Sequence, residues 1–395
     1  MNEKNKKIDL IEIGIPFIYI FAEYEIAGCS LLWLLIIFLS VYTVAKYGIR
    51  RITIFRPLLL LFMFMFFHDA IKCVYSVVNY GMLFDHCLLY VFVVLMTGRV
   101  DEEKLFKVWS VVSIVVLLGI ILHSYQVYFL HLPVTQIKIL PFSFADAENA
   151  VYAYPRPRSI FSEPAACVSW LAPSLAYMLN KGRLKFSIVL TIGMLLTTSS
   201  VGVVMVAVLW TYTLFEKEGA LSLNRKIYLL LIIGVFVWLL FSSGIFSDTL
   251  TKISNISFSS GSDYSRVLLG VMLFINAPLN VILWGIKEST VADYLRSGSI
   301  QLSKYHLSTE NSYLGFVNAL GSCILYYGII GLALFINFYY RLFKTINKSQ
   351  RGYYLICIVS IISQSAFFNS YFVMQMAILL GTASFYPKKR EWYGE

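Results

Sequence analysis

The chain has 395 residues, of which 58% are hydrophobic and 16% aromatic, and its formal net charge is +10. Only 14% of the residues are charged, against about a quarter in soluble globular proteins, so the composition excludes a soluble globule and indicates a lipid bilayer. Many of the Lys and Arg residues lie in short loops between apolar runs, which is typical of cytoplasmic loops rather than of a nucleic-acid-binding surface.

The apolar runs predict an all-α protein, a polytopic bundle of about twelve transmembrane helices with both chain ends on the cytoplasmic side. We expect a single integral membrane domain over residues 1–395. In chain order the predicted helices are 8–22, 27–45, 52–70, 82–97, 108–130, 159–180, two short helices within 186–215, 227–243, 313–338, 353–373 and 374–386.

Three polar interruptions shape this pattern. Residues 131–158, rich in proline and aromatic residues, predict an irregular loop on the outer side. The hydroxyl cluster at 197–200 predicts a tight turn between the two short helices. The largest outer segment, 244–312, contains an apolar run at 267–284 that is interrupted by Asn276, Pro278 and Asn280, which favours an interfacial or re-entrant helix over a full span.

Several candidate functional residues are close together in the sequence where the first outer loop meets the next helix. Arg156, Arg158 and Glu163 stand within eight residues, and Pro164 suits the first turn of a helix. An ionisable residue at this depth is costly unless it is paired or handles a polar ligand. Glu163 is a candidate general base for a sugar hydroxyl; alternatively, it is a helix-start residue, or a partner that neutralises Arg158.

A second arginine, Arg266, stands at the next junction of an outer loop with an apolar segment. The planar guanidinium donates two parallel hydrogen bonds to phosphate oxygens, so Arg158 and Arg266 could together hold a lipid diphosphate and stabilise the charge that develops as it departs. The alternative is that Arg266 pairs with Asp263 as a structural tie. Glu310 and His306 are rival bases, and Lys287 and Arg296 add positive charge on the same side.

The absence of several sequence motifs argues against some types of reaction. The sequence has no Gly-rich phosphate-binding loop followed by Lys and Ser or Thr, which argues against ATP hydrolysis. It also lacks a His-Glu-x-x-His pattern, an Asp-x-Asp pair and a nucleophile elbow, and its six cysteines show no zinc or redox spacing. We therefore predict neither a metal nor another cofactor.

Three motifs, in this order, resemble the superfamily of bacterial O-antigen polymerases and O-antigen ligases. The first is the Arg-Ser-Ile-Phe-Ser-Glu-Pro run at 158–164. The second is Ser265-Arg266 followed by Ala277-Pro278-Leu279 and Gly285. The third begins with Glu310-Asn311-Ser312-Tyr313-Leu314 and continues to Tyr327-Gly328-Ile329-Ile330-Gly331-Leu332.

The resemblance implies a glycosyltransferase of the bacterial inner membrane, with its active site facing the periplasm. The donor would be an oligosaccharide on undecaprenyl diphosphate, with no nucleotide sugar, and Asn311 joins the substrate-binding residues through the third motif. Ligases of this superfamily have His just before that Asn, whereas this chain has Glu310, which favours the polymerase. Membrane lipids and a chain-length regulator protein are the other expected partners; nucleic acid is not.

Two alternatives stay open at the level of sequence. An O-antigen ligase would transfer the glycan to the lipid A core instead of to another repeat unit. A flippase or other transporter of lipid-linked oligosaccharides would place polar residues near the middle of the membrane in both halves of the chain, whereas the ionisable residues singled out above lie on one side.

Overall fold

The computed structural model describes residues 8–48, 52–75, 80–146, 155–216, 268–297, 317–364 and 367–383, together with scattered positions between 224 and 242. The described part is 74% helical with few strands. Its helices are α1 (Leu10–Ala22), α2 (Leu31–Tyr47), α3 (Arg56–Val74), α4 (Tyr80–Met96), α5 (Glu102–Tyr128), α6 (Pro164–Asn180), α7 (Leu184–Leu196), α8 (Ser200–Phe215), α9 (Gly270–Ile275), α10 (Leu279–Trp284), α11 (Val291–Arg296), α12 (Ala319–Thr345), α13 (Arg351–Ser363) and α14 (Ser370–Leu379).

Three of these helices, α3, α5 and α12, are long and apolar enough to cross a membrane. Six shorter apolar stretches of 10–17 residues accompany them within the described residues. The predicted membrane character therefore has structural support, while the count of about twelve spans stays a prediction.

The predicted pair of short helices within 186–215 is confirmed. Helices α7 and α8 meet at a turn over residues 197–199, where Thr198 has a φ of 49°. Thr197 Oγ1 donates to the carbonyl of Met194 at 2.7 Å, so a turn hydroxyl satisfies one of the backbone acceptors at the end of α7.

Other helix boundaries differ from the prediction because polar contacts set them. Helix α5 begins at Glu102, six residues before the predicted start, since the Asp101 carboxylate caps the amides of Glu103 and Lys104 at 3.1 and 3.2 Å. Helix α6 begins at Pro164 instead of residue 159. The break in the last hairpin falls after Ser363, where α13 ends, and before Ser370, where α14 begins, and not at 373/374.

The all-α prediction missed a small antiparallel sheet of order β2-β1-β3, formed by β1 (Tyr24–Ile26), β2 (Cys29–Ser30) and β3 (Ser143–Phe144). Strands β1 and β2 are joined by Ala27 and Gly28, whose φ values of 50° and 79° suit a tight hairpin. Tyr24 is opposite Phe144 in the β1–β3 ladder, so the sheet ties the predicted irregular loop to the end of α1.

Within the predicted interfacial or re-entrant segment 267–284, the described residues 268–284 form a broken helix, while its placement in the membrane stays a prediction. Helices α9 and α10 have six residues each and are separated by Asn276, Ala277 and Pro278. Both pack against α12, which is itself interrupted at Gly328, with φ 63° and ψ −161°. The approach is close: a Cβ on Gly328 would lie 2.4 Å from the carbonyl oxygen of Leu283.

The interior joins helices that are far apart in sequence. Phe106 of α5 stacks on Tyr177 of α6 at 4.5 Å between ring centroids, and on Tyr353 of α13 at 5.2 Å. Pro173 inside α6 lacks the amide that would bond to the Ser169 carbonyl. The Tyr371 hydroxyl of α14 donates to that carbonyl at 3.3 Å, so a neighbouring helix satisfies the freed group, as a membrane interior requires.

Contacts between chain segments define two opposite ends of the bundle. At one, which we call the basic end, Lys181 pairs with Glu103 at 3.3 Å and the Val100 amide donates to the Gly381 carbonyl at 3.0 Å. At the other, the loop end, the Ala145 amide donates to the Glu23 carbonyl at 3.0 Å. The basic end carries Lys46, Arg99, Lys104, Lys181, Arg183, Lys185, Lys344 and Arg351.

Candidate functional site

The candidate site lies at the loop end, in the turn formed by residues 158–163. Ser159 has a φ of 55° there, and its hydroxyl donates to the Val116 carbonyl of α5 at 2.9 Å. A Cβ on Gly119 would come within 2.2 Å of that hydroxyl, so only glycine at this position of α5 lets the turn approach so closely. The turn is therefore seated directly on α5.

His123 of α5 holds the turn from the same side. Its Nδ1 accepts the backbone amides of Ser159 at 3.2 Å and Arg158 at 3.4 Å. Because an amide nitrogen can only donate, Nδ1 is unprotonated, and a neutral His123 carries its proton on Nε2. The imidazole thus satisfies two backbone donors that would otherwise be buried without partners.

Arg158 is completely buried, with no exposed side-chain surface. Its Nη1 donates to the Ser162 carbonyl at 2.6 Å, which closes the turn on itself. Among the described residues no ion pair joins Arg158 to Glu163, so the pairing considered from the sequence is not the one formed. Arg156 is half-buried, and its charge acts on the Tyr128 hydroxyl at the end of α5.

Glu163 is the last residue before α6. It occupies the N-cap position, but its side chain makes no capping hydrogen bond, and the half-buried carboxylate has no hydrogen bond among the described residues. A carboxylate at a helix N-terminus is favoured by the helix dipole. The Glu163 carboxylate is therefore held at the start of α6, and no described residue occupies it with a hydrogen bond.

Glu23, which follows α1, is the residue that sequence reasoning missed. Its carboxylate accepts the Ser162 amide at 3.1 Å, the Ser162 hydroxyl at 3.2 Å and the Gln136 side-chain amide at 3.2 Å. Burial raises the pKa of Glu23 to about 7; these hydrogen bonds oppose the increase, and the nearby charge of Glu163 adds to it. A charged residue directly after an apolar run was the available signal, but the run does not reveal its partners.

The site therefore contains two neighbouring carboxyl groups, Glu23 and Glu163, beside a buried guanidinium. Because its pKa is raised to about 7, Glu23 can take up or release a proton near neutral pH. The turn that carries Glu163 is fixed by α1, α5 and the first outer loop. This arrangement can position an acid or base at the start of α6.

Lys287 and Arg296 belong to a different part of the loop end. Lys287 is exposed after α10, and Arg296 on α11 lies 4.0 Å from Asp293, with both side chains largely exposed. The described contacts do not bring either residue to the Arg158 turn. Arg266, His306, Glu310 and Asn311 lie outside the described residues.

A second polar group within the helices was also missed. Asp69 of α3 is 3% exposed and accepts the Tyr327 hydroxyl of α12 at 2.8 Å. The Nδ1 atoms of His68 and His86 lie 3.6 and 3.3 Å from its carboxylate oxygens. Ionisable residues inside apolar runs were the overlooked sequence signal.

The described residues contain no group of three or more His, Cys, Asp or Glu side chains arranged to hold a metal ion. The fold and the site together define a mostly helical protein that has three helices long and apolar enough to cross a membrane, with a carboxyl pair and a buried arginine at one end of its helices. No protein-family model matches the chain, and no curated protein matches it either.

Proposed function

We propose that this chain is a membrane glycosyltransferase of the O-antigen polymerase type. In this proposal it joins oligosaccharide repeat units carried on undecaprenyl diphosphate, at the periplasmic face of the bacterial inner membrane. The supporting observation is the Glu163 carboxylate, half-buried and without a hydrogen bond among the described residues, beside Glu23 and Arg158. The resemblance of three sequence motifs to that superfamily supplies the substrate class.

The proposed reaction needs one base and one anion-binding group. An acceptor sugar hydroxyl gives its proton to Glu163, with Glu310 as the alternative base, and its oxygen forms the new glycosidic bond to the anomeric carbon of the donor. The bond from that carbon to the diphosphate breaks, and undecaprenyl diphosphate leaves with the electron pair. Cleavage of the bond between the anomeric carbon and the diphosphate supplies the driving force, so no ATP is consumed.

The arginines take two different roles in this proposal. Because Arg158 is completely buried and bound to the Ser162 carbonyl, we assign it to positioning the turn that carries Glu163. Arg156, which is half-buried, and Arg266 are proposed to contact the diphosphate oxygens. Lys287, Arg296, His306 and Asn311 are proposed to contact the sugars.

The test supplies the purified protein in lipid with a lipid-linked repeat unit and follows product length on a gel. We expect a ladder of products from the wild type. Glu163→Gln should lower the rate by about 100-fold or more, since a general base contributes at least that factor. Glu25→Gln removes the same charge from β1 and should retain the ladder. A single unchanged band from the wild type would overturn the proposal.

A transporter of lipid-linked oligosaccharides is the second candidate, and one observation favours it. Transporters contain discontinuous helices, and this chain has them in α9 and α10 and in the interruption of α12 at Gly328. Transporters also carry charged residues within the membrane, and Asp69 is a buried charged residue of this kind. In reconstituted vesicles, movement of the repeat unit between leaflets without any ladder would select this candidate. A ladder in detergent, where no leaflets exist, would select the polymerase.

A further inference from the structure

The group around Asp69 lies where α3, α4, α10 and α12 meet. We call His68, Asp69, His86 and Tyr327 the Asp69 cluster. Its residues come from α3, α4 and α12, and no role in the proposed transfer reaction uses them. The side chain of Asp69 is only 4% exposed, and those of His68 and His86 are 12% and 11% exposed. An ionised carboxylate in such a place needs partners that carry protons.

The hydrogen bonds restrict where the protons are. Nε2 of His68 lies 2.7 Å from the carbonyl oxygen of Trp284, the last residue of α10. A carbonyl oxygen only accepts, so this nitrogen carries a proton and donates it. Nδ1 of the same ring is buried, has no hydrogen-bond partner within bonding distance, and faces Oδ1 of Asp69 at 3.6 Å.

This geometry needs one more proton than the simplest charge state provides. With only Nε2 protonated, the lone pair of His68 Nδ1 would face a carboxylate oxygen in a nearly water-free place, which is repulsive. A proton on either Nδ1 or the Asp69 carboxyl turns the same pair into an attraction. Tyr327 and His86 approach the other oxygen, Oδ2, at 2.8 and 3.3 Å, so they leave the Oδ1 side to this proton.

We infer that the Asp69 cluster is a proton-binding site, in which one exchangeable proton from solution is held between His68 Nδ1 and Asp69. The proton also strengthens the contact between α3 and the broken segment, because a charged ring donates a stronger hydrogen bond from Nε2 to the carbonyl of Trp284 than a neutral ring does. An imidazolium at a helix C-terminus is stabilised by the helix dipole. This inference does not depend on the proposed transfer reaction.

Other charged and titratable groups surround the cluster and set its balance. Lys72, one turn along α3, donates to the Tyr326 carbonyl at 3.4 Å, and the charges of Asp69 and Glu288 both act on it. When the histidines are neutral, the acidic groups Asp69 and Glu288 outnumber the single cation Lys72, so a bound proton reduces the negative charge there. The neighbouring titratable side chains are Cys73 on α3, Asp85 and Cys87 on α4, and Cys323 and Tyr326 on α12.

Nitrogen NMR of the full chain in lipid bilayers, with ¹⁵N-labelled histidine, tests the site directly, since the chain has only five histidines. The signal that His68→Gln removes identifies His68. We expect that signal to show a ring that always carries a proton on Nε2 and that exchanges a second proton at Nδ1 with the solution. In Asp69→Asn this second proton should no longer be held at Nδ1.

Hydrogen exchange of residues 279–297 tests the coupling to α10. In the wild type we expect protection to decrease as the pH is raised and the second proton is lost, because a neutral ring donates a weaker hydrogen bond to Trp284. In His68→Gln the side chain does not titrate, so protection should not depend on pH. His131→Asn alters an exposed loop histidine and should behave like the wild type.

The inference is overturned by any of three results. One is a His68 signal without an exchangeable second proton, and another is a second proton that Asp69→Asn leaves unchanged. The third is a pH dependence of exchange that persists in His68→Gln, because the responsible group would then lie elsewhere. The wild-type NMR titration decides the question even where a variant folds poorly.

Discussion

Two ionisable residues, the buried Arg158 and the half-buried Glu23, illustrate how hydrogen bonds replace water around such groups in this protein. A buried charge is tolerated when hydrogen bonds replace its hydration. Arg158 bonds to the Ser162 carbonyl at 2.6 Å, while Glu23 accepts the amide and hydroxyl of that same serine. Ser162 therefore links a cation and an anion that belong to segments more than 130 residues apart, and the turn that carries Glu163 depends on both.

The raised pKa of Glu23 predicts how stability changes with pH. In the folded protein this pKa is about 7, above the usual value of 4.5, because of burial. The folded state thus holds a proton that the unfolded state has already lost, so the contribution is fully present below about pH 4.5 and disappears as pH rises through about 7. Each unit of pKa difference corresponds to about 1.4 kcal/mol.

The measurement is the melting midpoint of the purified protein as a function of pH. For the wild type we expect the midpoint to decrease between about pH 4.5 and pH 7. Glu23→Gln should remove most of that decrease, since an amide does not titrate, whereas Glu25→Gln in the adjoining strand β1 should preserve it. Parallel curves for Glu23→Gln and the wild type would show that Glu23 does not titrate in this range.

At the scale of elements, the most constrained contact joins α10 to α12. Gly285 and Gly328 face each other's segments so closely that a Cβ on either would lie 2.2 or 2.4 Å from a carbonyl oxygen of the other. The break at Gly328 interrupts the hydrogen bonds of α12, and the Ile286 amide donates to the Leu325 carbonyl at 2.7 Å in compensation. The two broken helices satisfy each other's backbone, as non-helical backbone within a membrane requires.

Gly328→Ala is predicted to separate α10 from α12. The chain offers a matched control, because Gly48 has a similar backbone conformation, φ 70° and ψ 166°, but nothing within 4 Å of an added Cβ. Gly48→Ala should cost only the backbone strain, about 1–3 kcal/mol. Gly328→Ala should cost about 1–3 kcal/mol more, from the added steric clash.

Thermal melting of the two variants in the same lipid separates the cost of backbone strain from the cost of the steric clash. The expected result is a clearly larger decrease in the melting temperature for Gly328→Ala than for Gly48→Ala. Equal decreases would mean that α10 moves away from α12 without cost, so that the close packing would not contribute to stability.

For the whole molecule, the separation of charge between its two ends predicts its orientation. The basic end is expected to face the cytoplasm by the positive-inside rule, and the loop end the opposite side. Cys29 at the loop end is the exposed member of the six cysteines; the other five are buried or half-buried. A thiol reagent that does not cross membranes therefore reports on the loop end alone.

We expect a maleimide that does not cross membranes to label Cys29 in spheroplasts, which expose the outer face of the inner membrane. Cys29→Ser should abolish the labelling. In the Cys29→Ser background, Ser349→Cys places an exposed thiol at the basic end, and it should be labelled only after the membrane is permeabilised. The reversed pattern would place the Arg158 turn in the cytoplasm, which is incompatible with the proposed periplasmic reaction.

The sequence was sufficient to predict features that depend on neighbouring residues. Runs of apolar residues identified the long helices, the hydroxyl cluster at 197–200 located the turn between α7 and α8, and Pro278 indicated the break before α10. Each of these signals is local, because hydropathy over a helix length and the missing amide of proline act within one segment.

Tertiary structure alone decided which charged residues are buried and what they contact. The sequence singled out Arg158 and Glu163 but could not show that the guanidinium turns to Ser162, or that Glu23 from the first helix completes the site. The same holds for Asp69, whose partners lie on α4 and α12. The physical reason is that the cost of burying a charge is offset by hydrogen bonds from distant segments, and packing, rather than local pattern, brings those segments together.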